Sequence, residues 1–240
     1  MRIVNWNCNG AFRKKFSLLE QFNADIVVIQ ECENPEVAND KLYKEWATNF
    51  IWIGENKNKG LGIFCKDSLK LSNNNWETNE LKYFISATIN EDFNIIGLWN
   101  HHANSPTFGY IGQFWKYLQI NKSLMQKTLI VGDFNSNKIW DKWDRWWNHT
   151  DVVRELEELK IRSLYHEYFN EEQGAEKTPT FYLQKNSLKP YHIDFVFATK
   201  KTFKSPKAFK IGKKSEWLQW SDHMPILIDF QNISNDEKTT

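Results

Sequence analysis

The stretch LIVGDFNS at 129–136 constrains this chain more than any other. An apolar, β-branched run stops at Gly132 and delivers Asp133 and Asn135 into a polar turn. Runs of this kind read as buried strands, and a strand that ends on an acid and an amide presents both at a sheet edge. An Asp in such a place also serves as an ordinary helix cap or turn former. The meaning of 129–136 therefore depends on whether other strands end in the same way.

They do. Residues 2–6 alternate as a first strand that closes on Asn7, and Cys8, Asn9 and Gly10 break it with turn chemistry. A helical spacing of Phe16, Leu19 and Phe22 over 12–22 leads through Asp25 into a second strand at 26–29, a βαβ-like opening. That strand is apolar on both faces and runs out into Gln30, Glu31, Cys32 and Glu33. A carboxylate at the end of a buried strand costs desolvation unless it is paired or holds a cation, which makes Glu31 a candidate metal ligand. Glu33 reads as marking the solvent edge of the sheet.

Residues 51–53, 60–64, 83–89 and 93–99 read as further strands, with hairpin signals at Asn73, Asn74 and Asn75 and at Glu91 and Asp92. Mixed antiparallel and parallel pairing is expected. The strand at 93–99 runs into Asn100, His101 and His102; adjacent residues of an extended chain face opposite ways, so one histidine at most faces a site beside Asp133. After a connection holding Pro106 and Gly109, a helix is predicted over 110–120 and another over 151–160 with Asp151 as its cap candidate. A short strand is expected at 178–181. Over 191–197, Asp194 alternates with His192 and Val196 on one face, opposite Ile193, Phe195 and Phe197. An acid in such a run needs a partner, and the best candidate is the segment SDHMP at 221–225 that enters a final strand at 226–230.

Composition narrows the class. Thirty-one Lys+Arg against thirty Asp+Glu leave a net charge of +1, which argues against retention on nucleic acid by bulk charge alone. Local pairs, Lys57 with Lys59, Lys138 with Lys142 and Lys213 with Lys214, remain able to guide phosphate. Three cysteines, Cys8, Cys32 and Cys65, read as reduced interior thiols. The N-terminus lacks a signal-peptide h-region and no run approaches a membrane span, so a cytoplasmic protein, monomeric by default, is expected. One domain over 1–230 and a polar, frayed tail over 231–240 are expected too. Most of the twelve tryptophans should be core, but Trp140, Trp143, Trp146 and Trp147 crowd the segment after Asp133, where they either cap the core or stack on bases.

Asparagine after the first strand, QE after the second, then GDFN, HID and SDH, each at a strand end and in this order, resembles the endonuclease/exonuclease/phosphatase superfamily over Asn7 to Phe230. The resemblance implies a four-layer α/β sandwich, with two mixed β-sheets packed face to face and flanked by helices. It also implies a metal-dependent phosphodiesterase, most simply a nuclease on DNA or RNA, the alternative being a phosphatase or phosphodiesterase of a small phosphoester such as an inositol phosphate, nucleotide or lipid head group. Residue by residue, Glu31 with Asn7 nearby, and Asp222, are similar to the metal side, where Mg²⁺ or Mn²⁺ would sit. Asp133 is similar to the acid that activates water, and Asn135 to the amide that holds phosphate or nucleophile. Asp194 is similar to the carboxylate that orients His223, and His223 to the residue at the scissile phosphate. His101 best fits the substrate-contacting position at the strand end before GDFN, with His102 the alternative, and Trp140 is a substrate-binding candidate.

Asn9 stands where many repair members carry a second acid, which removes one metal ligand. More narrowly, GDFNSN, WD, PTF, the YHID strand and SDHMP resemble short bacterial members of the superfamily whose substrate the resemblance does not give. Neither a GxSxG elbow nor paired zinc spacing of cysteines is present, which leaves serine hydrolysis and structural zinc without support. A non-catalytic binding module would have lost Asp133 or His223, and both are there.

Overall fold

The computed structural model describes residues 1–102 and 107–231. Pro106 and the tail from 232 lie outside the described residues. Two six-stranded sheets form the centre. The first contains β1 (Arg2–Asn7), β2 (Ile26–Cys32), β3 (Phe50–Asn56), β4 (Lys59–Cys65), β13 (Ala208–Ile211) and β14 (Ile226–Asp229), in the order β13-β14-β1-β2-β4-β3. The second contains β5 (Leu71–Asn73), β6 (Phe84–Ile89), β7 (Phe93–Trp99), β8 (Thr128–Asp133), β9 (Ile161–Ser163) and β12 (Asp194–Thr199), in the order β5-β6-β7-β8-β12-β9. A two-stranded ribbon, β10 (Phe181–Tyr182) with β11 (Pro190–Tyr191), lies against the segment that enters β14, where Phe181 bridges to His223. Each large sheet has a single parallel pair, β1 with β2 and β7 with β8, and both sheets are therefore mixed.

Period-two alternation builds the layers. Ile3, Ile26, Val28 and Ile63 of the first sheet meet Ile85, Ile95, Leu129, Val131 and Val196 of the second in one buried cluster. Gly97 marks how close the sheets come, since a Cβ there would stand 3.1 Å from Ile63 and 3.3 Å from Val28. The outer face of the second sheet, through Ile96, Ile130, Phe195 and Phe197, packs on α2 (Ile111–Asn121) and α3 (His149–Glu158). The outer face of the first, through Val4, Trp6, Val27 and Ile29, packs on two 3₁₀ turns, Phe12–Lys14 and Phe16–Phe22, and on α1 (Lys41–Trp46) and α5 (Lys214–Trp217). Together with α4 (Leu164–Phe169), this is the expected four-layer α/β sandwich. Each large apolar side chain buried this way contributes ~1.5–3 kcal/mol, so a one-residue slip of β8 or β12, which would turn the core set outward, is strongly disfavoured. The same register aims Asp133 and Asp194 between the sheets.

Several local expectations change. Residues 12–22 form 3₁₀ turns rather than an α-helix, interrupted at Lys15 (φ −128°), whose ammonium donates to the carbonyls of Cys8 (2.7 Å) and Trp220 (2.8 Å). Asp151 does not cap α3: Asn148 is the N-cap, and Asp151, three residues on, accepts a bond from its backbone N–H (2.9 Å) in a capping box. The strand predicted over 191–197 begins only at Asp194, and His192 leaves the Asp194 face to pack on Tyr165 and Phe195, with Nδ1 on the Thr178 carbonyl at 2.8 Å. The four crowded tryptophans divide: Trp147 is buried, while Trp140, Trp143 and Trp146 are exposed. All three cysteines are free.

Candidate active site

The parallel pairs β1/β2 and β7/β8 end at the same edge of the sandwich, and antiparallel β12 begins there. Asp133 and Asp194 are direct cross-strand partners at that edge. Gly132 allows it, because a Cβ at that position would lie 2.0 Å from the Leu98 carbonyl oxygen of β7. Asn135 takes a left-handed backbone (φ 46°), which asparagine tolerates, and folds back on the strand end.

Asp133 is fully buried and nearly saturated. Oδ1 accepts from the Asn135 backbone N–H (2.9 Å); Oδ2 accepts from the side-chain amides of Asn7 (3.0 Å) and Asn135 (3.0 Å). The Asn135 amide also donates to the Asn100 carbonyl at 3.0 Å. His223 stands across from it, with Nδ1 2.9 Å from Asp194 Oδ2 and Nε2 3.9 Å from Asp133 Oδ2. Phe181 covers the imidazole at 4.5 Å between centroids. The Ser221 hydroxyl donates to the Asn7 carbonyl (2.7 Å) and accepts the His223 backbone N–H (3.0 Å), while Trp6 Nε1 donates to the His223 carbonyl (2.9 Å). Thr180 Oγ1 accepts the backbone N–H groups of Ile193 (3.0 Å) and Asp194 (3.1 Å), fixing where β12 starts.

Charges follow from these contacts. Burial pushes the Asp133 carboxyl well above the usual carboxylate range; His223 pulls it down, and Asp194 pushes it up again. Burial disfavours a charged His223, yet the carboxylates of Asp194 and Asp133 outweigh it and raise the imidazole well above its ordinary value. Asp194 Oδ1 is buried without a hydrogen-bond partner among the described residues. Asp133, Asp194 and His223 also offer ligand atoms all within 4.8 Å of one another, a cluster that could hold a metal.

Glu31 forms a more open half. A bulge between Gln30 and Cys32 places Glu31 in the left-handed region (φ 64°), a strained backbone for this residue, costing about 1–3 kcal/mol. The bulge breaks an alternation that would have grouped Glu31 with Val27 and Ile29 on the outer face, and it brings Oε1 to 3.4 Å from the Asn7 amide. On the other oxygen sits the Lys59 ammonium, 2.9 Å away, which also lies 5.4 Å from the Trp99 ring. His101 packs edge-on against Trp99 (4.9 Å) and on Tyr83 (5.6 Å); burial lowers its pKa, Lys59 lowers it further and Glu31 opposes both. His102 turns instead to Tyr110, at 5.5 Å. Asp222 is half-buried, with its carboxylate 3.5 Å from the Ser221 hydroxyl, and its charge helps to raise His223.

The structure thus brings together Asn7, Glu31, Asp133, Asn135, Asp194 and His223, with His101 beside Lys59. No contact among the described residues joins Asp222 to Glu31. Trp140 stays outside this network: it packs on Tyr191 (5.1 Å) and lines, with Asn135, Phe181 and Tyr110, a cleft of ≈ 200 Å³. Larger clefts of ≈ 450 and ≈ 600 Å³ contain none of these residues. Sequence reasoning gives no site role to Asn100, Thr180 or Ser221. Asn100 carries a signal in following a buried strand, and Thr180 and Ser221 in sitting inside the PTF and SDH motifs.

A buried acid held beside an imidazole, itself clamped by a second acid, with an open carboxylate that draws a cation nearby, is equipped to move a proton next to an anionic ester. Fold and site together define a phosphoester hydrolase. A sequence model of the Endonuclease/Exonuclease/phosphatase family matches residues 4–223, and the chain belongs to that family. No curated protein matches the sequence. Among solved structures it is similar to the 3′ phosphatase NExo from Neisseria bound to product DNA hairpin (TM-score 0.71, 17% identity, covering 97% of this chain and 100% of that one). It is similar as well to a 3′-5′ exonuclease from Neisseria meningitidis (0.69, 18%, covering 96% and 99%) and to an AP endonuclease from Archaeoglobus fulgidus (0.69, 17%, covering 97% and 100%). At these identities the likeness speaks for the fold. Among the described residues, no helix is long and apolar enough to cross a membrane.

Proposed function

We propose that this protein is a Mg²⁺-dependent phosphodiesterase, with Mn²⁺ as a substitute, that cuts nucleic acid by attack of water on a backbone phosphate. The observation that carries the reading is Asp133, fixed by three donors and facing an imidazole that Asp194 holds at 2.9 Å. Asp133 takes the proton of the attacking water; a carboxyl raised above its ordinary range is a better base near neutral pH than an exposed one. Asp194, bonded to Nδ1, keeps Nε2 of His223 turned toward Asp133 and favours the charged ring, which faces the phosphoryl oxygens. The amides of Asn7 and Asn135 hold Asp133 where the phosphate enters. His101 and Trp140 line its approach.

The residues present fit a divalent cation at Glu31. Lys59 rests on Glu31 as a stand-in cation, and that carboxylate, which Asn7 steadies through its Nδ2 and to which Asp222 would add a second, is a hard oxygen donor of the type Mg²⁺ takes. When bound, the metal supplies charge neutralisation at the phosphoryl and leaving oxygens.

The DNA hairpin held by the Neisseria relative supports a nucleic-acid substrate. A second reading, a small phosphoester, is favoured by the net charge of +1 and by a cleft of only ≈ 200 Å³. Purified enzyme with Mg²⁺ is offered single-stranded DNA, duplex DNA, RNA and a set of small phosphoesters. Polymer cleavage is expected; turnover of small esters alone rejects the nuclease reading in favour of the second.

A further inference from the structure

Three tryptophans on the segment that leads away from the site are held out in solvent, although that segment is far from loose. Trp143 is 98% exposed, Trp146 64% and Trp140 46%, whereas Trp147, in the same segment, is 8% exposed and packs on Phe108 at 4.3 Å. The backbone that carries them is pinned at several points. The Asn148 side chain accepts from the Lys142 N–H (2.9 Å) and donates to the carbonyls of Lys142 (2.8 Å) and Arg145 (3.0 Å). The Asp141 carboxylate accepts the N–H groups of His149 (2.9 Å) and Thr150 (3.2 Å) at the start of α3. Single exposed apolar side chains are ordinary, but three exposed indoles on one hydrogen-bonded segment are a concentration of the kind that marks an interaction site.

Chemistry on the same segment says what fills it. Lys138 and Lys142 flank Trp140 and are exposed, and neither is in an ion pair among the described residues. Asp141 faces the α3 N-terminus and Asp144 lies 3.5 Å from Arg145, so with Lys138 and Lys142 the segment carries three cations against two acids. Aromatic faces interleaved with unpaired cations match a ligand that alternates flat rings with anions. The segment meets the catalytic centre at Trp140, which shares a cleft wall with Asn135, and Trp143 and Trp146 follow it in sequence.

We infer that Trp140, Trp143 and Trp146, with Lys138 and Lys142, form a stacking platform for an unpaired nucleic-acid strand that leads into the cleft beside Asn135. This deepens the nuclease reading and rests on it: the platform selects single-stranded over duplex substrate, because a paired base offers no free face to an indole.

Fluorescence anisotropy with a labelled twelve-nucleotide oligothymidylate, in EDTA so that nothing is cut, tests it. Each stacked base accounts for roughly 5- to 100-fold in affinity, and the double variant Trp143→Ala/Trp146→Ala is expected to bind at least tenfold more weakly. Trp143→Phe/Trp146→Phe restores most of that loss, and a duplex of equal length changes less than twofold. Lys138→Ala/Lys142→Ala lowers the slope of log affinity against log salt by about 1.4, roughly 0.7 for each phosphate no longer neutralised. Circular dichroism and the melting midpoint confirm that the variants are folded, as expected for exposed positions. Unchanged oligothymidylate affinity in the alanine variant, or equal losses on single strand and duplex, overturns the platform. So does a concentration-dependent dimer, seen by sedimentation, that the alanine variant abolishes. Because binding in EDTA needs no turnover, failure of the platform is distinguishable from failure of the wild-type enzyme to hydrolyse any phosphoester.

Discussion

His223 and His149 are both buried, and the fold treats them in opposite ways. His223 lies between the carboxylates of Asp194 and Asp133, and their charge overrides burial and raises the imidazole above its ordinary value. His149 lies against the outer face of the second sheet, with Nδ1 3.2 Å from the Ser136 hydroxyl, Nε2 3.2 Å from Gln173 Oε1 and the ring on Phe195 at 5.0 Å. Its ring touches only neutral groups, and burial outweighs the pull of the Asp141 and Glu176 carboxylates and holds it down at about 4. Enclosure therefore does not single out a functional histidine. What separates these two is counter-charge on the ring, which His223 has at contact distance and His149 does not.

Removing that counter-charge should have the largest effect. Asp194→Asn leaves the shape but turns His223 into a second His149, and a loss of ~10²–10⁴ in kcat is expected; the imidazole ¹⁵N shifts at neutral pH should move from the charged to the neutral form. Retention of the charged signals would show that Asp133 suffices. Next is stability against pH. The His149 pKa is depressed in the fold, so the unfolded chain binds more protons between about 4 and 6.5. The stabilisation from a neutral His149 is full above 6.5 and is lost as pH falls toward 4, about 3 kcal/mol at most. His223 works in reverse: its pKa is raised, and its contribution is present below 6.5 and fades on the alkaline side as pH climbs through the folded value. Urea midpoints should fall on acidification in the wild type and fall less in His149→Gln; parallel curves would show that His149 does not set the acid limb.

The smallest effect concerns the open half. Lys59 competes with any metal for Glu31, so Lys59→Met should tighten Mn²⁺ binding about three- to tenfold in a paramagnetic titration. Weaker binding in that variant would instead make Lys59 part of the metal site.

Asp133 and Asp194 are legible in the sequence because period-two alternation along apolar strands fixes which way an acid points, and the cross-strand pairing bears this out. Glu31 is legible as a strand-end acid, but its aim depends on a bulge at φ 64° that no local pattern announces. Lys59 as its partner follows from the pairing of β2 with β4, which is tertiary information. The spacing of Phe16, Leu19 and Phe22 is three residues, which a 3₁₀ turn satisfies as well as an α-helix, and there the shorter turn prevails. The tryptophan segment cannot be resolved from sequence, because packed and displayed indoles share one composition; Trp147 is core and Trp143 is not.

The most direct test of the central claim is single-turnover cleavage of a labelled single-stranded oligonucleotide by the wild-type enzyme and by Asp133→Asn, each with Mg²⁺ and with EDTA. Cleavage by the wild type should stop in EDTA, and the variant should lose ~10³ in rate while its Mn²⁺ affinity stays within a few-fold. Equal cleavage by the two proteins, or cleavage that EDTA leaves untouched, would contradict a metal-dependent hydrolysis that Asp133 drives.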